Sequence, residues 1–154
     1  MVYRLFLISL LSVLGSCKDE TVITDTNQSL SSHNWSYIQK INIPVLIADE
    51  KPGYNLYLNL RHSADYKYAN IFVLIHQTDP QGRRTSERRE FKLALPDGEW
   101  LGSGSGNMYS YQLLLKENYH FPSKGNYIFE IEQNMRDNPL REVTDVGMRV
   151  ERAE

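Results

Sequence analysis

The chain of 154 residues contains a single cysteine, Cys17. One thiol has no partner within the chain, so the sequence excludes an intramolecular disulfide. A domain of this length can bury a proper hydrophobic core without such a bond. We therefore expect packing alone to hold the fold together.

No hydrophobic run is long enough to span a bilayer, which takes about 20 residues. The longest extends from Leu5 to Leu14 and is interrupted by Ser9 and Ser12. It follows a short segment with one positive charge, Arg4, and it has the length and flanks of a signal-peptide h-region. We predict a lipoprotein signal peptide at residues 1–16.

The predicted signal peptide ends in Leu14-Gly15-Ser16-Cys17, a branched apolar residue and two small residues before a cysteine. This pattern is a lipobox, and the thiol can carry a thioether-linked diacylglycerol. We predict that Cys17 is lipidated and that two or three acyl chains, palmitate among them, hold the protein stably at the membrane. The alternative is an ordinary cleaved signal peptide that precedes a free cysteine.

Charge and histidine spacing argue against two further classes. With 17 basic and 19 acidic residues the formal net charge is −2, and no clustered basic face suggests a nucleic-acid partner. No two histidines are two or four residues apart, and none has a cysteine partner. We predict no metal site and no cofactor.

No motif for catalysis is present. The segment Gly102–Gly106 has Gly104 where a nucleophile elbow needs serine, and a tyrosine-rich strand rather than a helix follows it. Asp97 and Glu99 would lie roughly 7 Å apart on an extended chain, which alone does not make an acid pair. We predict that the protein is not an enzyme and has no catalytic residues.

The chain lacks any convincing 3.6-residue period, and apolar residues instead recur every second position. The pattern predicts seven or eight strands, with Pro44 marking an edge strand and Ile71–Ile75 a central strand covered on both sides. We predict one all-β domain over residues 35–154, an antiparallel β-sandwich or jelly roll. The polar residues 17–34 would form the lipidated N-terminus and a flexible tether.

Residues 96–106 are predicted to form a flexible or tightly turned loop, whose glycines allow positive φ angles or a close approach. Aromatic residues lie in or beside it, and such side chains can stack on sugar rings or on a protein partner. The alternative is that they fill the core or rim of the sandwich. The predicted binding residues are Asp97, Glu99, Trp100, Tyr109 and Tyr111.

Several segments, taken in order, resemble the GldH gliding-motility lipoproteins of Bacteroidetes. Besides the leader with its lipobox, they are Tyr54-Asn55-Leu56-Tyr57-Leu58-Asn59-Leu60-Arg61, the segment Tyr66 to Leu74, Leu95-Pro96-Asp97-Gly98-Glu99-Trp100-Leu101-Gly102, and Val143-Thr144-Asp145-Val146-Gly147-Met148-Arg149-Val150-Glu151. The resemblance covers about Trp35 to Glu151.

The resemblance implies a non-enzymatic, lipid-anchored protein of the cell envelope that serves gliding and the type IX secretion apparatus. The family has no assigned catalytic residues. The start Cys17-Lys18-Asp19-Glu20 looks like a surface-export signal and favours the outer leaflet of the outer membrane over its periplasmic face. We therefore expect a protein-interaction module with envelope partners; the alternative is a carbohydrate-binding lipoprotein of the cell surface.

Overall fold

The computed structural model describes residues 20–154, so the predicted signal peptide and Cys17 lie outside the described residues. The described chain forms eleven strands and a three-residue 3-10 helix, Ser31–His33. No helix of the described part is long and apolar enough to cross a membrane. The strands are β1 (Val22–Ser29), β2 (Asn34–Trp35), β3 (Ile41–Ile47), β4 (Tyr54–Ser63), β5 (Asn70–Thr78), β6 (Arg84–Lys92), β7 (Ser103–Ser105), β8 (Met108–Tyr119), β9 (Gly125–Gln133), β10 (Leu140–Arg141) and β11 (Val143–Arg152).

Two antiparallel sheets make up the domain and confirm the predicted all-β sandwich. One has five strands in the order β1-β11-β4-β8-β7, and the other has four in the order β3-β9-β5-β6. A short pair, β2 and β10, closes one end. Inward-facing side chains of both sheets form one core, in which Leu58, Ile43 and Met148 are fully buried. Burying each such side chain contributes about 1.5–3 kcal/mol.

Pro44 lies on β3, an edge strand of the four-stranded sheet, as predicted. For Ile71–Ile75 we predicted a central strand that is covered on both faces, and only the central position is confirmed. This strand is central, between β9 and β6, but only one of its faces packs on the other sheet. Phe72 on the other face is half-buried, and the guanidinium of Arg88 lies 4.0 Å from its ring centroid. The outer face of β5 can therefore be apolar because long side chains such as that of Arg88 cover it, although no second sheet or helix packs there.

The prediction of a flexible tether over residues 17–34 was wrong from Val22 onward. β1 pairs with β11 along its length, from Val22 opposite Glu151 to Ser29 opposite Asp145. Thr21 joins the same ladder, because its carbonyl accepts a hydrogen bond from the N–H of Arg152 (2.8 Å). β1 is a polar edge strand that is stabilised mainly by backbone hydrogen bonds, and its sequence therefore resembles that of a linker.

Side chains join the two sheets at both of their lateral edges. At one edge, the amide nitrogen of Gln28 on β1 donates to the carbonyl of Asn42 on β3 (2.9 Å). At the other, Arg89 on β6 donates to the carbonyl of Leu115 on β8 (3.0 Å). These bonds satisfy edge carbonyls that would otherwise be available to another chain.

The antiparallel order gives the sandwich two distinct ends. The entry end, where β1 begins, also carries the turns 48–53 and 79–83 and the end of β11. The far end carries the connections 64–69, 93–107 and 134–142. β4 runs the whole way between these ends in ten residues, a length of about 33 Å.

Gly147 of β11 allows β1 to pack closely. A Cβ atom at this position would lie 1.9 Å from the carbonyl oxygen of Thr26 and 2.5 Å from Oδ1 of Asn27. We expect Gly147→Ala to push β1 away and to lower the free energy of unfolding by about 1–3 kcal/mol. Urea denaturation measures the loss, and hydrogen exchange should show reduced protection in β1.

Gly98→Ala is the matched control. Its φ is +92°, but an added Cβ meets nothing within 4 Å. It should lose about 1–2 kcal/mol through backbone strain alone and keep the protection of β1. If Gly147→Ala keeps the wild-type protection of β1, the close approach does not matter for stability.

Candidate interaction site at the far end of the sandwich

Six ring-bearing side chains pack together at the far end, and His62 lies at their centre. Its ring centroid is 4.5 Å from that of Trp100, 4.9 Å from Tyr66 and 5.2 Å from Tyr111. We call this group the far-end aromatic cluster: His62, Tyr66, Tyr68, Trp100, Tyr109 and Tyr111. β4 supplies the histidine, β8 supplies Tyr109 and Tyr111, and the connection 93–107 supplies the tryptophan.

His62 is fully buried and has a polar partner at each ring nitrogen. Nδ1 lies 2.7 Å from the carbonyl oxygen of Ser63, and Nε2 lies 3.1 Å from the hydroxyl oxygen of Tyr111. The single proton of that hydroxyl can be donated to Nε2 or to the carbonyl oxygen of Leu93, which lies 2.9 Å away. Burial lowers the pKa of His62, so the ring is neutral at pH 7 and donates from Nδ1. The cluster is thus held by hydrogen bonds as well as by ring contacts.

The glycine–serine segment packs its glycines against the cluster. A Cβ on Gly102 would lie 2.6 Å from the ring of Tyr111, and one on Gly104 would lie 2.9 Å from the ring of Tyr109. The predicted close approach is therefore present, although the segment contains the short strand β7 rather than only loop. The alternation of glycine and serine in this segment follows the alternation of side chains along a strand: the glycines face the tyrosines, and Ser103 is exposed.

The five predicted binding residues divide into two groups. Trp100 and Tyr109 are half-buried and Tyr111 is buried, so these three come together within the cluster. Asp97 and Glu99 are exposed in the adjoining turn, where Oδ1 of Asp97 accepts the N–H of Glu99 (3.2 Å). This geometry favours a structural role for the rings and for Asp97, and a binding role for these residues stays a prediction.

Sequence reasoning missed the central residue of the cluster. His62 continues the inward alternation of Leu56, Leu58 and Leu60, so its burial could have been predicted from that period alone. Its contact with Trp100 could not, because it depends on the path of the connection 93–107. Exposed apolar residues at the same end are Tyr37, Ile38 and Leu101, of which Ile38 is 90% exposed.

A second polar group lies on the outer face of the four-stranded sheet, where His76, Glu130 and Glu132 bring three possible metal ligands together. Nε2 of His76 is 3.0 Å from Glu132, and imidazole and carboxylate are suitable ligands for zinc. Cations of the chain already hold both carboxylates: Lys40 lies 2.8 Å from Glu132, and a hydrogen bond from Arg84 lowers the pKa of Glu130. The arrangement is therefore an ion-pair network that could hold a metal only after Lys40 and Arg84 had moved.

Comparison with known proteins decides the family. A family model described as GldH lipoprotein matches residues 22–150, from the first strand almost to the end of the last. The chain belongs to the GldH lipoprotein family. The match begins at β1, so this family relationship includes the strand that sequence reasoning had assigned to a tether.

Two curated relatives of this GldH-family chain agree with the family match. The gliding motility lipoprotein GldH homolog of Christiangramia forsetii is 32% identical over 159 residues, which cover 99% of this chain and 97% of that protein. Gliding motility lipoprotein GldH of Flavobacterium johnsoniae is 30% identical over 146 residues, 90% of this chain and 89% of that one. The predicted resemblance is confirmed.

The buried His62 makes stability depend on pH. Its pKa lies below the ordinary value of 6.5, so as pH falls through 6.5 the unfolded chain takes up a proton that the folded chain does not. The free energy of unfolding should therefore fall below pH 6.5, by up to about 1.4 kcal/mol per pH unit. Urea denaturation from pH 7.5 to 5 should show this loss in the wild type and a flatter profile in His62→Gln. Parallel profiles would contradict a neutral, buried His62.

Proposed function

We propose that this gliding-motility lipoprotein is a non-enzymatic module of the gliding and type IX secretion machinery that recognises protein partners with its far end. Lipid on Cys17 would hold it to the outer membrane, and Lys18-Asp19-Glu20 favours the cell-surface face. The mechanism is localisation plus recognition, since anchoring raises the effective concentration of the domain near its partners. The observation that carries the proposal is that exposed apolar side chains lie at the end opposite to the anchor.

The connection between lipid and domain is short. Only residues 18–20 separate Cys17 from Thr21, whose carbonyl is already bound to Arg152. Four residue steps span at most about 14 Å even when fully extended. The entry end is therefore kept near the lipid headgroups, whatever conformation residues 18–20 adopt.

The far end then projects away from the membrane, because β4 and β11 extend the whole length of the domain. Ile38 and Leu101 are 90% and 51% exposed there. Large exposed apolar side chains are suited to the desolvated centre of a protein–protein contact. Leu101 follows Trp100 of the far-end aromatic cluster directly, and the packing of that ring holds this part of the end in place.

The alternative, sugar binding by the loop aromatics, has less support at this end. Trp100 packs against His62, Tyr66 and Tyr109, with ring centroids 4.5–6.3 Å apart. A tryptophan used as a sugar platform needs a free ring face, whereas this ring contributes to the local core. Replacing Trp100 would also expose His62, so it is a poor residue with which to test binding.

The test uses two exposed residues at the far end and one elsewhere. We expect Ile38→Glu and Leu101→Glu, made in the lipidated protein, to reduce capture of gliding or secretion components from cross-linked envelope at least tenfold, because a carboxylate in an apolar contact must be desolvated. The matched control is Leu46→Glu, on edge strand β3, where the wild-type side chain is 60% exposed. It should capture partners normally.

A second control, Cys17→Ala, removes the predicted lipid and should abolish capture at the membrane. Thermal unfolding verifies that each glutamate variant is folded. Wild-type capture by both far-end variants, or equal losses in all three glutamate variants, would refute recognition by the far end.

A further inference from the structure

A polar cleft of about 480 Å³ opens on the outer face of the five-stranded sheet and extends to Ser103 and Tyr111, beside the far-end aromatic cluster. Its volume lies within the range of small-molecule sites. Strands β1, β11, β4 and β8 supply the side chains that line it: Asp25, Asn27, Asn59, Arg61, Gln112 and Asp145.

The register of the sheet aligns three amide side chains across this cleft. Asn27 pairs with Gly147, Gly147 with Asn59, and Asn59 with Gln112, on four adjacent strands. Gly147 contributes no side chain to the row. The side-chain amide of Asn27 lies over Gly147, because a Cβ added at that glycine would be 2.5 Å from Oδ1 of Asn27. Asparagine is depleted in strands, so such a row is not explained by strand propensity.

Asn59 carries an acceptor that nothing in the described chain satisfies. The side chain is 7% exposed, and its Nδ2 donates to Oδ1 of Asp25 (2.7 Å), which leaves Oδ1 of Asn59 without a partner. Buried polar atoms are nearly always paired, and an atom left without a partner lowers the stability of the fold. A donor that comes from outside the chain would remove this cost.

The neighbours of Asn59 leave room for such a donor. Among the described residues, the side-chain amides of Asn27 and Gln112 form no hydrogen bond, and both side chains are exposed. Either amide can therefore reorient toward a ligand without losing a hydrogen bond within the described chain. Each also offers two donors and an acceptor of its own.

The charges in the cleft cancel in pairs. Arg149 lies 3.0 Å from Asp25, and Arg61 lies 3.9 Å from Asp145. A bare cation would have to displace a guanidinium, and an anion would meet two carboxylates. The electrostatics therefore favour a neutral ligand.

We infer that this cleft binds a neutral saccharide. Adjacent sugar hydroxyls both donate and accept, which matches a row of amides with one acceptor still unpaired. On the same face, half-buried Tyr57 lies opposite Leu114, which is 42% exposed, and the two give an apolar flank for a sugar ring. The cleft does not include Ile38 or Leu101, so variants of the amide row and variants of those two residues test the saccharide contact and the protein contact separately.

The experiment uses the lipidated full chain in nanodiscs, screened against an array of neutral oligosaccharides, with calorimetric titration of those that bind. Asn27→Ala and Gln112→Ala replace exposed amides and should each weaken binding at least tenfold. The matched control is Asn126→Ala, which removes an exposed strand amide from the outer face of the other sheet and should bind as the wild type does.

Three outcomes would overturn the proposal. The first is that no neutral oligosaccharide on the array binds. The second is that binding is unchanged in both cleft variants or is lost equally in the control. The third is that calcium or an acidic saccharide binds in preference to the neutral ones, which would contradict the charge argument. Denaturation curves of the variants exclude loss of fold as the cause.

Discussion

The pairing of the first strand with the last is the interaction on which the other features depend. No disulfide is available to close the chain, so the hydrogen-bond ladder from Val22–Glu151 to Ser29–Asp145 joins its two ends. The ladder needs Gly147, because any side chain there would meet the backbone of Thr26. The ladder begins at Val22, five residues after Cys17, so the proposed lipid on Cys17 would hold the entry end of the sandwich near the membrane.

The same pairing shapes both surfaces that we assign to binding. It places Asp25 and Asn27 beside β11 and so completes one wall of the polar cleft. In the function that we propose, a lipid on Cys17 holds the entry end at the membrane, and the far end, with Ile38 and Leu101, then projects away from it. The cleft extends to Ser103 and Tyr111, so the saccharide that we infer would bind beside the protein contact that we propose.

Most long strands could be predicted from the sequence because their inward positions alternate without interruption. The buried apolar side chains recur at every second position from Tyr54 to Leu60 in β4 and from Val146 to Val150 in β11, and burial of apolar area stabilises these strands. β1 could not be recognised in this way, since only Val22 and Ile23 are apolar and the strand is held by backbone bonds. A local sequence pattern reveals a strand through its buried apolar side chains, and β1 has no fully buried residue.

The candidate sites show a related limit. Tyr109 and Tyr111 were found as aromatics beside a loop, but their packing on His62 and on two glycines depends on tertiary contacts. The amide row and the His76 network arise from the register between strands far apart in sequence. The spacing of residues within one segment carries no information about that register. The family resemblance could be recognised from the sequence because it depends only on several segments that follow one another in a fixed order.

The orientation of the anchored domain can be measured most directly with its two tryptophans, Trp35 and Trp100, both of which lie at the far end. In nanodiscs that contain brominated lipids, our account predicts that the lipidated wild type keeps its fluorescence, because both rings project away from the bilayer. A Lys51→Trp variant, with its added ring in an entry-end turn, should be quenched in part. Strong quenching of the native tryptophans would contradict the account, because the far end would then lie at the membrane.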